Sequence, residues 1–190
     1  MRTWRQDGPL GVLLGVISYI KTPQQHELFN DFQRLANAEL PTEERRILEP
    51  VKPVVTRWNS YFTAFERAVK LQPAINAYAR HHITRIRTED TFAASRCNKQ
   101  PDAQPWMRSD GLSASDWAVV TEYLDVLRPL KLATKRLEGR GKSGRFGAIA
   151  EVILVFDYIL TYYEQRVKGY EAVNYNAHNE APKDHLAINL

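Results

Sequence analysis

Three places in this chain carry side chains whose type and spacing suit chemistry: Arg57-Trp58-Asn59, the adjacent pair His81-His82, and the lone thiol Cys97. An indole face stacks on any unstacked base, worth on the order of 1–3 kcal/mol, and a guanidinium grips phosphate. Arg57 and Trp58 therefore suit a surface that holds unpaired DNA. The competing reading of Trp58 is packing. With Tyr61, Phe62, Phe65, Ala68 and Val69 it traces one apolar stripe at helical spacing.

The other two places are poorer. Neighbouring residues on a helix point about 100° apart, so His81 and His82 cannot easily share an ion, and neither has a carboxylate four residues on. They read as a solvated or capping pair. Cys97 has no base predicted near it, and no G-x-S-x-G elbow exists. Asp116, Glu122 and Asp125 read as surface charges flanking a core stripe. Gly139-Arg140-Gly141-Lys142-Ser143-Gly144-Arg145 is glycine-rich and basic. It lacks the spacing of a phosphate-binding loop and no strand precedes it, so it reads as a helix-helix connector. The expectation is a chain without catalysis of its own, without a bound cofactor or metal, and without a small-molecule substrate.

Composition sets the frame for these residues. The chain has 190 residues, 44% hydrophobic and 25% charged, with a single cysteine, which excludes an internal disulfide. No run of about 18 apolar residues exists, so no membrane span is expected. Asp7 stands where a secretory signal would be basic, and no small-residue cleavage site follows. The net charge of +4 is uneven: residues 57–99 hold eight basic and three acidic side chains, and residues 101–190 hold eleven and twelve. The excess of +5 lies beside the Arg-Trp pair, where it would attract phosphate in a salt-dependent way.

Periodicity places the elements. Leu10, Leu13, Leu14, Ile17 and Ile20 predict a first helix. Thr22-Pro23-Gln24-Gln25 predicts a second, with Thr22 as N-cap, Gln25 completing a capping box, Leu28, Phe29, Phe32 and Leu35 buried, and an end near Ala38. Residues 41–53, with three prolines, predict a connector with one short helical turn. Val54-Val55 is the only strand-like piece. Thr56 is a candidate N-cap for the helix that opens with Arg57 and Trp58, stops near Leu71 and restarts at Pro73 with Ile75, Tyr78 and Ala79. Residues 84–112 read as an irregular loop. Ser113 and Asp116 open the next helix, in which Trp117, Val120, Leu124, Leu127 and Leu130 face inward and Pro129 introduces a kink. Phe146, Ile149, Val152, Ile153, Phe156, Ile159, Leu160, Tyr163 and Val167 predict a final helix with a wide apolar face, and residues 170–190 read as a poorly ordered tail.

Four blocks, in order, resemble the central part of hAT-superfamily DNA transposases of the fungal type. WRQDGPLGVLLGVISYIKTPQQHELF is similar to the family's W-R-x-x-G-P-L-G-K-L-H-N-I-V-x-Y-I-R-x-S-P-Q-R segment, and TRWNSYFTAFERAVKLQPAI to its T-R-W-N-S block. LSASDWAVVTEYLDVLRPLKLATKRLEG and GRFGAIAEVILVFDYIL are similar to helices of its insertion. The likeness covers roughly residues 1–180, and Val12-Leu13-Leu14-Gly15 departs from the family's K-L-H-N. The resemblance implies a ribonuclease-H-like domain interrupted by a helical insertion. It implies cut-and-paste transposition by two aspartates and a glutamate that hold a divalent metal such as magnesium. None of those three carboxylates can be placed on this chain. The implied DNA contacts are Arg57, Trp58 and Asn59, with Trp58 stacking on a base flipped from a hairpin.

The expected fold is mainly α: a partial ribonuclease-H-like region plus part of a helical insertion, with little or no strand. The expected division is 1–83 with the Arg-Trp motif, the loop 84–112, an insertion segment 113–169 and the tail 170–190. The expected function is that of a truncated or degenerate hAT-type transposase-like protein with residual DNA binding. The alternative is a helical protein-interaction module derived from one. Nuclear location is implied by the resemblance alone, with the cytoplasm as the alternative. Apolar faces at the start of the chain, lacking strands to cover them, are expected to be exposed and to promote self-association or a partly molten state.

Overall fold

A computed structural model describes residues 8–54, 57–96, 99–138 and 149–169; for Trp58, Glu138, Ile149, Ala150 and Glu151 it describes the backbone alone. Among the described residues there are six α helices and no strand. They are α1 (Pro9–Ile20), α2 (Pro23–Ala36), α3 (Trp58–Lys70), α4 (Gln72–Ser95), α5 (Ala114–Glu138) and α6 (Ile149–Gly169). Short 3-10 turns lie at Thr42–Glu44, inside the expected connector, and at Pro105–Arg108.

Proline marks three of the starts. Pro9, Pro23 and Pro73 stand in the first turns of α1, α2 and α4, where a missing N–H costs nothing. The expected break near Leu71 is there: α3 ends at Lys70 and α4 begins at Gln72, with Leu71 itself buried between them. α5 opens with a reciprocal cap. The Ser113 amide donates to Asp116 Oδ2 at 2.7 Å, and the Asp116 amide donates to Ser113 Oγ at 3.2 Å. α5 continues as helix through Pro129.

One core joins the helices. Leu13, Val16, Ile17 and Ile20 of α1 meet Phe29 of α2, Phe62 and Phe65 of α3, Ile75 and Tyr78 of α4, and Trp117, Val120 and Leu124 of α5. α3 packs on α5, and α2 on α4. α6 packs chiefly on α5, where Tyr162 and Tyr163 hydroxyls donate to the carbonyls of Asp125 and Val126. The expected exposure of the first helix is therefore overturned: its apolar stripe is covered by helices rather than by strands.

Other expectations need correction. The loop does not begin at residue 84, because α4 runs to Ser95. Asp90 and Arg87 on this extension are held by Arg108 and Asp110 from downstream, partners that local periodicity cannot reveal. Trp106 and Met107, within that supposed loop, are core residues. The Thr22 side chain donates to Tyr19 O rather than capping α2, and Gln25 Oε1 accepts from the Tyr78 hydroxyl at 2.9 Å, so no capping box forms. α2 ends at Ala36, and Leu35 is exposed. Gln33 is buried in its place because its Oε1 accepts the amide of Leu48 from the returning connector. Val54 is exposed and in no strand; Val55, Thr56, Cys97 and the Gly139–Arg145 turn lie outside the described residues, as does the tail 170–190.

Candidate nucleic-acid interface

The segment entering α3 is fastened by one side chain. Ser60 Oγ accepts the Val54 amide at 2.8 Å and lies 2.9 Å from Val54 O and 2.5 Å from Arg57 O. A hydroxyl has one proton, so it donates to one of these carbonyls at a time. The Arg57 amide donates to Val54 O at 2.9 Å, closing the same turn. This small knot sets the backbone of Arg57 in an extended conformation, φ −128° and ψ 102°, immediately before the helix. Arg57 is exposed, and among the described residues no carboxylate pairs with it.

The three expected DNA contacts are therefore placed differently. Arg57 stands outward at the positive end of α3, where an anion is favoured by the helix dipole as well as by the guanidinium. Trp58 is the first residue of α3, and its side chain lies outside the described set. Asn59 is half-buried; its carbonyl accepts the Thr63 hydroxyl at 3.1 Å, and its Oδ1 has no partner among the described residues. One turn on, the stripe turns inward, with Phe62 and Phe65 buried and Lys131 of α5 standing 4.3 Å over the Phe62 ring.

Part of the basic excess of residues 57–99 is used internally. Arg85 pairs with Glu89, Arg87 with Asp110, and Arg67 donates to the Glu49 carbonyl. Arg57, Lys70, Arg80 and Lys99 remain exposed without a carboxylate partner among the described residues. These exposed pairs are each worth little, but they leave a weaker and more local field than the sequence count suggested. Arg80 and Arg85 line a shallow depression with His81 and Thr84 on α4.

The histidine pair proves to be split by burial. His81 is exposed and His82 is buried, with neither ring nitrogen of His82 bonded among the described residues. Tyr78 lies 4.6 Å from its ring, Tyr19 5.5 Å and Trp106 5.9 Å, centroid to centroid. Burial pushes the His82 pKa down to about 4, helped by the charges of Arg85 and His81. His82 is thus a neutral core residue, not a solvated one. The same burial raises the Tyr78 phenol above its ordinary value. Local periodicity does not show this aromatic cluster because Tyr19 and Trp106 reach Tyr78 and His82 from distant segments.

Glu122 is also buried rather than on the surface, 3.4 Å from Arg166 of α6. Among the described residues no cluster of three or more His, Cys, Asp or Glu is placed to hold a metal, and no helix is long and apolar enough to cross a membrane. No family model, curated protein or solved structure matches the chain.

Proposed function

We propose that this is an hAT-type transposase-like chain that keeps part of a DNA-handling surface and performs no catalysis with its own residues. The observation that carries this reading is the outward Arg57 at the start of α3, fixed by Ser60 within the T-R-W-N-S stretch. The ligand is DNA with unstacked bases, such as a hairpin end. Arg57 holds a phosphate and Trp58 stacks on a base; Asn59, whose Oδ1 is buried, has no direct contact in this reading. Titration of a labelled hairpin-ended DNA at two salt concentrations tests it. Binding should fall with salt, because phosphate contacts release counterions.

A second reading, a helical interaction module derived from a transposase, is favoured by a different observation. Ile153, Leu154, Phe156 and Leu160 of α6 are all more than half exposed. A chain that binds a partner protein through α6 and ignores DNA would fit this reading and not the first.

A further inference from the structure

We infer that the outer face of α6 pairs with α6 of a second copy of this chain. Residues 152–160 read VILVFDYIL, with one charge in nine positions. A helix that is apolar all round requires burial on more than one side. Within this stretch Val155 alone is fully buried, against α5. Ile153 is 70% exposed, Leu154 60%, Phe156 57%, Leu160 59% and, further along, Val167 63%.

The exposed positions have an order. Ile153, Phe156, Leu160 and Val167 follow one another by three, four and seven residues, and Tyr163 supplies the position between the last two. This is the spacing of a coiled-coil seam. From Ile153 to Val167 the helix rises by about 21 Å. Tyr163 is half-buried, its hydroxyl donating to Val126 O, so the seam runs along the edge of the α5–α6 contact rather than opposite it.

The occupant follows from pattern and size. The apolar stripes of α1, α3 and α4 are absorbed into the common core, as is the first half of α5. The seam of α6 is the long unmet periodic stripe among the described residues. A seam of this spacing fits a helix with the same spacing, and α6 of another copy has it. Four seam side chains at more than half exposure, with Leu154 beside them, amount to an area on the order of several hundred Å². That is comparable with the largest patch a typical monomer leaves open, and it supplies the apolar centre of an interface whose standard size is roughly 800 Å² per partner. The inference does not depend on DNA binding.

Sedimentation equilibrium of the full chain, from low to high micromolar concentration, tests it. A monomer–dimer equilibrium is expected, weakened at least tenfold by Leu160→Glu with the helical circular dichroism kept. A monomer at every concentration, aggregates without a defined stoichiometry, or a dimer indifferent to Leu160→Glu would overturn it. Should Leu160→Glu unfold the chain, crosslinking decides. In a Cys97→Ser background, Leu160→Cys should form an intermolecular disulfide and Gln165→Cys, off the seam, should not. Equal crosslinking of both, or of neither, would overturn the pairing.

Discussion

The Ser60 hydroxyl accepts the Val54 amide at 2.8 Å, and so ties the first turn of α3 to the extended segment that precedes it. The same oxygen lies 2.5 Å from the Arg57 carbonyl. The conformation of the Arg57 backbone is thus a property of a serine three residues away.

Replacing Ser60 with alanine leaves the Val54 amide without its partner. Loss of a hydrogen bond in an exposed turn costs about 1 kcal/mol. The larger effect falls on DNA affinity, since Arg57 loses its fixed position. Ser60→Ala should weaken hairpin binding several-fold while the denaturation midpoint moves little, and Ser60→Thr should restore part of it.

His82 makes the fold acid-sensitive. Its folded pKa is about 4, held down by burial first and then by Arg85 and His81. The unfolded imidazole takes its proton near pH 6.5. Between those values the unfolded chain binds a proton that the folded chain refuses, so stability falls as pH drops from about 6.5 to about 4 and then levels. The loss amounts to roughly 3 kcal/mol. Urea unfolding across this window should show the slope, and His82→Leu should remove most of it.

A side chain at Gly15 would crowd the Trp106 ring. A Cβ built there meets Trp106 Cδ1 at 3.0 Å, and Trp106 is itself wedged against Tyr19 with ring centroids 5.8 Å apart. Gly15→Val should destabilise by about 1–3 kcal/mol, read as a lower urea midpoint at unchanged slope. It should also perturb the fluorescence of Trp106.

The Ser113–Asp116 cap sets where α5 begins. Ser113→Ala removes the acceptor for the Asp116 amide and should cost about 1 kcal/mol. Asp116→Ala should cost a similar amount because it frees the Ser113 amide. The double variant should lose less than the sum, since the two bonds form one unit.

Helix content was legible where apolar residues recur on one face. Leu13, Ile17 and Ile20 marked α1, and Trp117, Val120 and Leu124 marked α5. The extension of α4 past residue 83 was hidden: Ile86 and Ala93 are its only buried members, and its long-range ion pairs come from residues 108 and 110. The burial of His82 and Trp106 was equally hidden, since each depends on rings brought from distant segments. On α6 the periodicity marked the helix and its apolar face, and a pattern does not say what covers such a face. At the candidate site, the exposure of Arg57 fits its place before the helix. The role of Ser60 was not read, because a serine in a helix's first turn bonds in several ways.

The DNA-handling role of the Arg-Trp stretch is decided by fluorescence anisotropy of a labelled hairpin-ended DNA, titrated with the wild-type chain, Arg57→Ala and Trp58→Ala at low and moderate salt. The account predicts wild-type binding that weakens with salt. Arg57→Ala should lower affinity and flatten the salt dependence by about one phosphate contact. Trp58→Ala should cost on the order of 1–3 kcal/mol without changing that slope. A folded chain that does not bind, or whose binding is the same in all three proteins, would contradict a DNA-handling role for the Arg-Trp stretch.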